Sequence, residues 1–542
     1  MQNKITHCLQ NADAQTVAEL RGATEEELYD RFYKNIDFGT GGMRGLIGAG
    51  TNRINRYTVA KATAGYAEYI RCHGAQKRGV AIAYDNRRCS RLFAEITAGV
   101  LAAQGIKSYL FEDLRTTPEL SFAVRHLGAF GGVVITASHN PPEYNGYKLY
   151  DETGCQMVPS LIAPIIQNIN KIEDELAIPV LSLSEAGELI EVIGDEIDRP
   201  YYKKVLSLSF DPGVPKQIKV VYSPQHGTGN IPVRHVLKAA GFDVIPVESQ
   251  CHPDPEFLNT RNPNPEAPEA FEAAIECMTQ TGADLAITTD PDCDRLGVAV
   301  RHKDQFRLLS GNQSGAILFY YILNRRKEQK TLPNNGVMFT TVVTSSLGDK
   351  IAADFGVAVE KTLTGFKFIG DKIRQHELAT EGKPFLFGYE ESYGCLIGDF
   401  VRDKDAVQAS LMLCDAADYY KKQSKTLVDV LDEIYGKYGV FTDHLTSVTL
   451  TGESGAKQIA KILADLRANP VDQIAGLKIR EIVDFQNPPE GFPAANVLLY
   501  NFENGSFVAV RPSGTEPKCK FYYCVCGEGL DGLRAYFEGV CR

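Results

Sequence analysis

The sequence predicts an α/β protein made of several mixed-sheet domains around a central cleft, and three observations carry that expectation. Apolar, strand-like runs alternate with helix-like stretches along most of the chain. Three of those runs, GGVVIT (131–136), DLAITT (284–289) and PFLFGY (384–389), pass directly into polar loops, TASHNPPEYNGYK, DPDCDR and EESYG. Ligands of α/β sheets gather outside the carboxyl ends of strands, so three such loops point to three related domains facing one cleft. Finally, 542 residues exceed one ordinary core and suggest about three to four domains.

Taken in order, strands are expected at GVAIAY (79–84), SYLF (108–111), GGVVIT, IKVVYS (218–223), DLAITT and PFLFGY, with helices such as LFAEITAGVLAAQG and EAFEAAIECMTQTG between them. SLSFDPGVPKQ (207–217) has the Pro/Gly content of a linker, and SGNQSG (310–315) precedes a fresh apolar helix, AILFYYIL. GKYGVFTDHLT (436–446) separates a helical stretch from a strand-rich tail, whose segments NVLLYNF, FVAVRPSGTEP and CKFYYCVC read as a smaller α+β domain. The expected domains are therefore 1–204, 205–312, 313–437 and 438–542.

A net charge of −11 argues against a nucleic-acid or anionic-membrane partner, both of which need a basic footprint, so any phosphate site must be local. MQNKITHCLQNADAQ lacks the apolar core of a signal peptide and no apolar run approaches membrane-spanning length, which predicts a cytoplasmic protein. The 13 cysteines include no C-x-x-C pair and read as reduced structural thiols; Cys524 and Cys526 would share one face of a strand. Clustered Cys and His for a zinc site are lacking.

Four loops carry candidate chemistry. In TASHNPPEYNGYK, Asn140-Pro141 and Asn145-Gly146 are turn dipeptides, while Ser138, His139 and Lys148 are candidate functional groups. DPDCDR places Asp290, Asp292 and Asp294 at alternating positions, which suits an oxygen-seeking cation such as Mg²⁺. It is no EF-hand, since Arg295 stands where that loop needs Gly; a phosphatase with Asp290 as nucleophile is an alternative, as is a solvated acidic turn. GYEESYG offers Glu390 and Ser392, a carboxylate and a hydroxyl suited to sugar hydroxyls, with Gly365 and Lys367 just upstream in TLTGFK. In RPSGTEPK, Arg511, Ser513, Gly514 and Thr515 supply the donors of a phosphate cradle. DFGTGGMRGLIGAG lacks P-loop spacing and contributes Arg44, while YDNR (84–87) and SPQHGTGN (223–230) read as structural turns. A metal triad, a serine loop, a phosphate cradle and a hydroxyl-binding carboxylate together point to phosphoryl transfer on a sugar phosphate, with Ser138 rather than ATP as donor.

These four motifs, in this order over essentially the whole chain, resemble the α-D-phosphohexomutase superfamily, the phosphoglucomutases and phosphomannomutases. The resemblance implies four domains in a heart-shaped arrangement, three sharing an α/β core and the last a separate small fold. It implies a phosphoserine at Ser138, one Mg²⁺ held by Asp290, Asp292, Asp294 and the serine phosphate, sugar contacts from Glu390 and Ser392, and a distal phosphate clamped by Arg511, Ser513, Gly514 and Thr515. By motif position, Arg44 and Lys148 match residues proposed for proton transfer and charge stabilisation, and His139 and Arg295 match further active-site residues. The expected reaction interconverts glucose 1-phosphate and glucose 6-phosphate through glucose 1,6-bisphosphate, with mannose or pentose specificity as the alternative. The partners implied are small sugar phosphates, and the protein is expected as a monomer or weak dimer.

Overall fold

The computed structural model describes residues 1–39, 42–450, 452–512 and 518–541. Four sheets follow one another along the chain. The first has seven strands: β1 (Phe38–Gly39), β2 (Gly42–Leu46), β3 (Val80–Tyr84), β4 (Ser108–Phe111), β5 (Gly131–Ile135), β6 (Tyr144–Tyr150) and β7 (Ile190–Ile193), in the spatial order β1-β2-β6-β5-β3-β4-β7. The second holds β8 (Lys219–Ser223), β9 (Asp243–Pro246), β10 (Leu285–Thr289), β11 (Leu296–His302) and β12 (Gln305–Leu309), ordered β12-β11-β10-β8-β9. The third holds β13 (Val337–Thr341), β14 (Ala358–Thr362), β15 (Phe385–Tyr389) and β16 (Cys395–Leu396), ordered β14-β13-β15-β16.

One unit repeats in these three sheets. Its first strand lies between its second and third, all parallel, and the fourth is antiparallel beside the third: β4-β3-β5-β6, β9-β8-β10-β11 and β14-β13-β15-β16. The connection from third to fourth strand must reverse direction at the carboxyl edge, and each of the three polar loops is that connection. The sheets are mixed, as the sequence predicts, and the six expected strands form within a residue of their predicted limits.

The fourth sheet is antiparallel throughout: β17 (Phe441–Thr449), β18 (Gln473–Ile474), β19 (Leu477–Asp484), β20 (Leu498–Phe502), β21 (Phe507–Pro512) and β22 (Lys518–Cys526), ordered β17-β22-β21-β20-β19-β18. GKYGVFTDHLT is mostly regular, since a helix runs to Tyr438 and β17 begins at Phe441. SGNQSG likewise lies within the helix Gly311–Glu328 and its cap: the Ser310 hydroxyl and the Gln313 side chain cap each other's backbone, and the apolar stretch continues the same helix.

Strand alternation sends side chains to two cores. Ala81 and Ala83 join a large apolar cluster that continues beneath the second and third sheets and one face of the fourth, whereas Val80 and Ile82 face a second cluster. Strands buried on both faces read as unbroken apolar runs, which is why GVAIAY and GGVVI stood out. Tyr522 and Cys524 belong to the shared cluster and Cys526 packs on it, while Phe521, Tyr523 and Val525 fill the core on the other side. All thirteen cysteines are free thiols. Among the described residues no helix is long and apolar enough to cross a membrane.

SPQHGTGN is a structural turn with a specific task, since it braces DPDCDR. The Thr228 amide and hydroxyl donate to the Pro291 carbonyl at 2.8 and 2.9 Å. A Cβ on Gly227 would stand 2.4 Å from Pro291 Cα and 2.5 Å from its oxygen, so only glycine fits. Gly227→Ala is expected to destabilise the protein by about 1–3 kcal/mol through overpacking, read as a lowered urea midpoint with an unchanged far-UV circular dichroism spectrum.

Candidate active site

Ser138 stands where β5 gives way to the turn toward β6. Its amide donates to Thr136 Oγ1 at 2.8 Å. Its φ of 51° is left-handed, a conformation that costs a non-glycine residue about 1–3 kcal/mol and persists where its surroundings hold it. The Asn-Pro stretch does turn the chain, with the Asn140 amide donating to Ala137 O and the Tyr144 amide to Pro141 O. Ser138 is 4% exposed; its Oγ donates to Asp290 Oδ2 at 2.6 Å and lies 3.1 Å from His139 Nδ1.

Arg44 on β2 pairs with Gly146 on β6, and Lys148 follows two residues later, so the two-residue alternation sends both cations to the same face. Arg44 Nη1 donates to Asn140 Oδ1 at 2.9 Å and Lys148 Nζ to Asp292 Oδ2 at 2.9 Å. Burial, reinforced by Arg295 and Arg44, holds His139 well below the ordinary histidine value, so the imidazole is neutral.

Asp290, Asp292 and Asp294 are buried, with ligand atoms all within 4.8 Å of one another. One oxygen of each of the latter two is occupied by protein. Asp292 Oδ2 accepts from Lys148 and from Thr117 Oγ1 at 3.0 Å, while Asp294 Oδ2 takes Lys404 Nζ at 2.7 Å. The other oxygens, Oδ1 of Asp292 and Oδ1 of Asp294, are buried without a hydrogen-bond partner. Asp290 Oδ1 accepts from the amides of Asp294 and Arg295, which curls the loop around this carboxylate. Burial, then the charges of Asp292 and Asp294, push Asp290 well above the usual carboxylate range. Burial opposes ionisation of Asp292 too, but Lys148 overcomes it and holds that carboxyl below the range. Orphaned carboxylate oxygens are costly in a protein interior, and an all-oxygen, strongly anionic donor set fits a hard divalent cation.

The third loop is built against TLTGFK. Gly365, with φ 117° open to glycine alone, donates its amide to Glu390 Oε1 at 2.8 Å. Burial raises Glu390, which lies in electrostatic range of Lys404 and Arg295. Glu391 serves the fold: the hydroxyls of Thr341 and Thr344 donate to its Oε2, and burial with the neighbouring Glu390 pushes it up to about 7. Burial, with Arg511 nearby, brings Lys367 down to about 8. Ser392 is half-buried in the same loop.

A cavity of about 830 Å³ joins the parts, lined by Arg44 and His139 of the first unit, Arg261 and Arg295 of the second, and Arg511, Lys518 and Lys520 of the last. Glu390, Ser392, Gly365 and Lys367 do not line it, although Lys367 and Glu390 are linked electrostatically to Arg511 and Arg295 respectively. Ser513, Gly514 and Thr515 lie outside the described residues. Besides Arg261, Lys518 and Lys520 of the lining, three residues around the acidic loop escaped the sequence reading. Lys404 is buried, and Asp294 and Asp403 outweigh burial to keep it protonated well above its ordinary value. Thr117 opens a helix beside DPDCDR, its amide donating to Asp292 O at 2.9 Å. Glu266 pairs with Arg295 at 2.6 Å. The one available signal was RDKD (402–405), a lysine between aspartates soon after GYEESYG.

Comparison with known proteins follows the same architecture. Three family models, described as phosphoglucomutase/phosphomannomutase alpha/beta/alpha domains I, II and III, match residues 35–176, 199–303 and 310–438. A phosphoglucomutase of Staphylococcus epidermidis is 39% identical over 523 residues, covering 94% of each chain. A phosphoglucomutase of Staphylococcus aureus is 38% identical over 510 residues, covering 92% of this chain and 90% of its own. Among solved structures, a phosphoglucomutase/phosphomannomutase family protein from Burkholderia thailandensis superposes with a TM-score of 0.70 at 18% identity, covering 93% of this chain and 97% of that one. The open form of parafusin, a phosphoglucomutase from Paramecium, gives 0.69 at 17% identity, covering 94% and 96%. The chain therefore belongs to the phosphoglucomutase/phosphomannomutase family and is a hexose phosphate mutase of the isomerase class.

Proposed function

We propose that this mutase interconverts α-D-glucose 1-phosphate and glucose 6-phosphate, with Ser138 as a phosphoserine donor and glucose 1,6-bisphosphate as intermediate. The single observation that carries the reading is Ser138 Oγ, 2.6 Å from a carboxylate of a buried acidic cluster with orphaned oxygens. Asp290, Asp292 and Asp294, with an oxygen of the serine phosphate, would hold Mg²⁺. When bound, the ion supplies neutralisation of negative charge at the phosphate.

A free hydroxyl of the hexose monophosphate attacks the phosphorus of phosphoserine. The sugar O–P bond forms, the Ser138 Oγ–P bond breaks, the hydroxyl gives up its proton and Oγ gains one. Arg44 and Lys148, on the same face of the sheet, flank the transferring group and offset charge on its oxygens. His139, held neutral, stays an uncharged hydrogen-bond partner at Oγ rather than a proton store. The bisphosphate then turns over, and its other phosphate is returned to Ser138. Arg295, Glu390, Ser392, Gly365 and Lys367 would receive the sugar and its phosphate. Arg511, Ser513, Gly514 and Thr515 would hold whichever phosphate is distal. A glutamate and a serine that accept from and donate to hydroxyls tolerate both orientations. Of the four expected domains, 1–204, 205–312, 313–437 and 438–542, the first, second and fourth would wall the cavity, and the third would reach the site through Glu390 and Lys367, which are linked electrostatically to Arg295 and Arg511.

The family model spans mannose as well as glucose enzymes, which makes phosphomannomutase activity the second reading. A kcat/KM panel of glucose, mannose, glucosamine and ribose 1-phosphates, run with Mg²⁺ and the bisphosphate, should place glucose first; a larger value for mannose or ribose refutes that preference. Ser138→Ala should abolish interconversion and remove about one phosphate from the intact mass, whereas a labile acyl phosphate on Asp290 would establish a phosphatase-like course. Asp292→Asn should weaken Mn²⁺ binding, followed by electron paramagnetic resonance, by at least about 10²-fold, with kcat falling alongside. Lys367 is charged below its value of about 8 and attracts phosphate there, so kcat/KM should fall as pH rises through about 8, and Lys367→Arg should abolish that fall.

A further inference from the structure

YDNR, which the sequence offers as a turn, places an arginine inside the serine loop. The Arg87 side chain is fully buried. Its Nη1 donates to Pro141 O at 2.8 Å and Tyr144 O at 3.0 Å, and its Nη2 to Ser138 O and Asn140 O. Four carbonyls of one short loop thus converge on one planar guanidinium, including that of the left-handed Ser138. Asp85 fixes the fork from behind: its Oδ2 lies 3.4 Å from Arg87 Nε, while its Oδ1 accepts from the Arg87 amide and from Ser90 Oγ at 2.7 Å. From the second sheet's unit, the Phe257 ring stacks 5.1 Å from the guanidinium carbon. The residues on either side of Arg87 secure that contact, Asn86 donating to Asp254 O at 2.9 Å and Arg88 pairing with Glu256.

We propose that Arg87 is a positioning residue for phosphoryl transfer, holding the Ser138 loop in its left-handed turn, and that Phe257 sets the fork from the neighbouring unit. The inference rests on Ser138 being the phosphoryl carrier. Buried carbonyls need donors, and the fork matches four at once where a lysine ammonium, with three rotating donors on a flexible stem, cannot. Arg87 reaches the loop only through backbone oxygens, so its loss displaces Oγ without removing a group that touches substrate.

The test follows phosphate transfer from labelled glucose 1,6-bisphosphate to the enzyme by rapid quench, beside steady-state kinetics and thermal melting. Folded Arg87→Lys should reach the wild-type stoichiometry of label about 10²-fold more slowly, with a matching fall in kcat and an unchanged KM for hexose monophosphate. Phe257→Leu, which leaves the loop's own hydrogen bonds intact, should slow labelling measurably, by about three- to tenfold. A wild-type labelling rate in Arg87→Lys overturns the proposal; should that variant not fold, a wild-type rate in Phe257→Leu overturns it. If the wild-type protein itself takes up no label on Ser138, the carrier assignment fails instead, and the two failures are told apart.

Discussion

Three carboxylates buried within 4.8 Å of one another cannot all ionise unless cations come to them, and that constraint organises the molecule. Beside Arg295 of the same loop, two cations come from other units of the chain. Lys148 arrives from the first sheet and Lys404 from the segment after the third, each taking one oxygen, while Thr117 adds a hydroxyl and an amide from a helix start. This acidic loop is thus where separate units are tied together, and removing any partner leaves charge stranded in the interior. The oxygens left over, one each on Asp292 and Asp294, are the ones a divalent cation would use.

The repeated strand order explains how three units can meet at such a point. In each, the reversal from third to fourth strand occurs at the same edge of the sheet, and the loop there has no backbone partner in the ladder to dictate its sequence. One unit spends that freedom on a serine, one on aspartates and one on glutamates. The antiparallel last sheet follows different rules, yet it buries Tyr522 and Cys524 in the core shared with the third unit, so its basic edge faces the same cavity.

How much was legible in the sequence follows from the range of each interaction. Strands buried on both faces announce themselves as apolar runs, and the Ser138 and Asp290 loops are local patterns a few residues long. Lys404, Thr117 and Arg87 are different. Each acts on a loop 51 to 175 residues away, and a lone lysine, threonine or arginine carries no periodicity. YDNR was legible as a turn because its Asp85 bonds locally, to Ser90, while the four carbonyls it serves are separated from it by two strands and two helices. SGNQSG, read as preceding an apolar helix, is the start of that helix, because Ser310 and Gln313 cap it.

The cavity's arginines and lysines belong to a chain of net charge −11. A sugar phosphate approaching from solution meets an acidic envelope first, and at physiological salt the field of the cleft fades within about 8 Å. Capture therefore happens at the mouth rather than at long range. On the proposed course, an intermediate bearing two phosphates would be held among these cations, and the chain's net negative charge would discourage it from leaving before its second transfer.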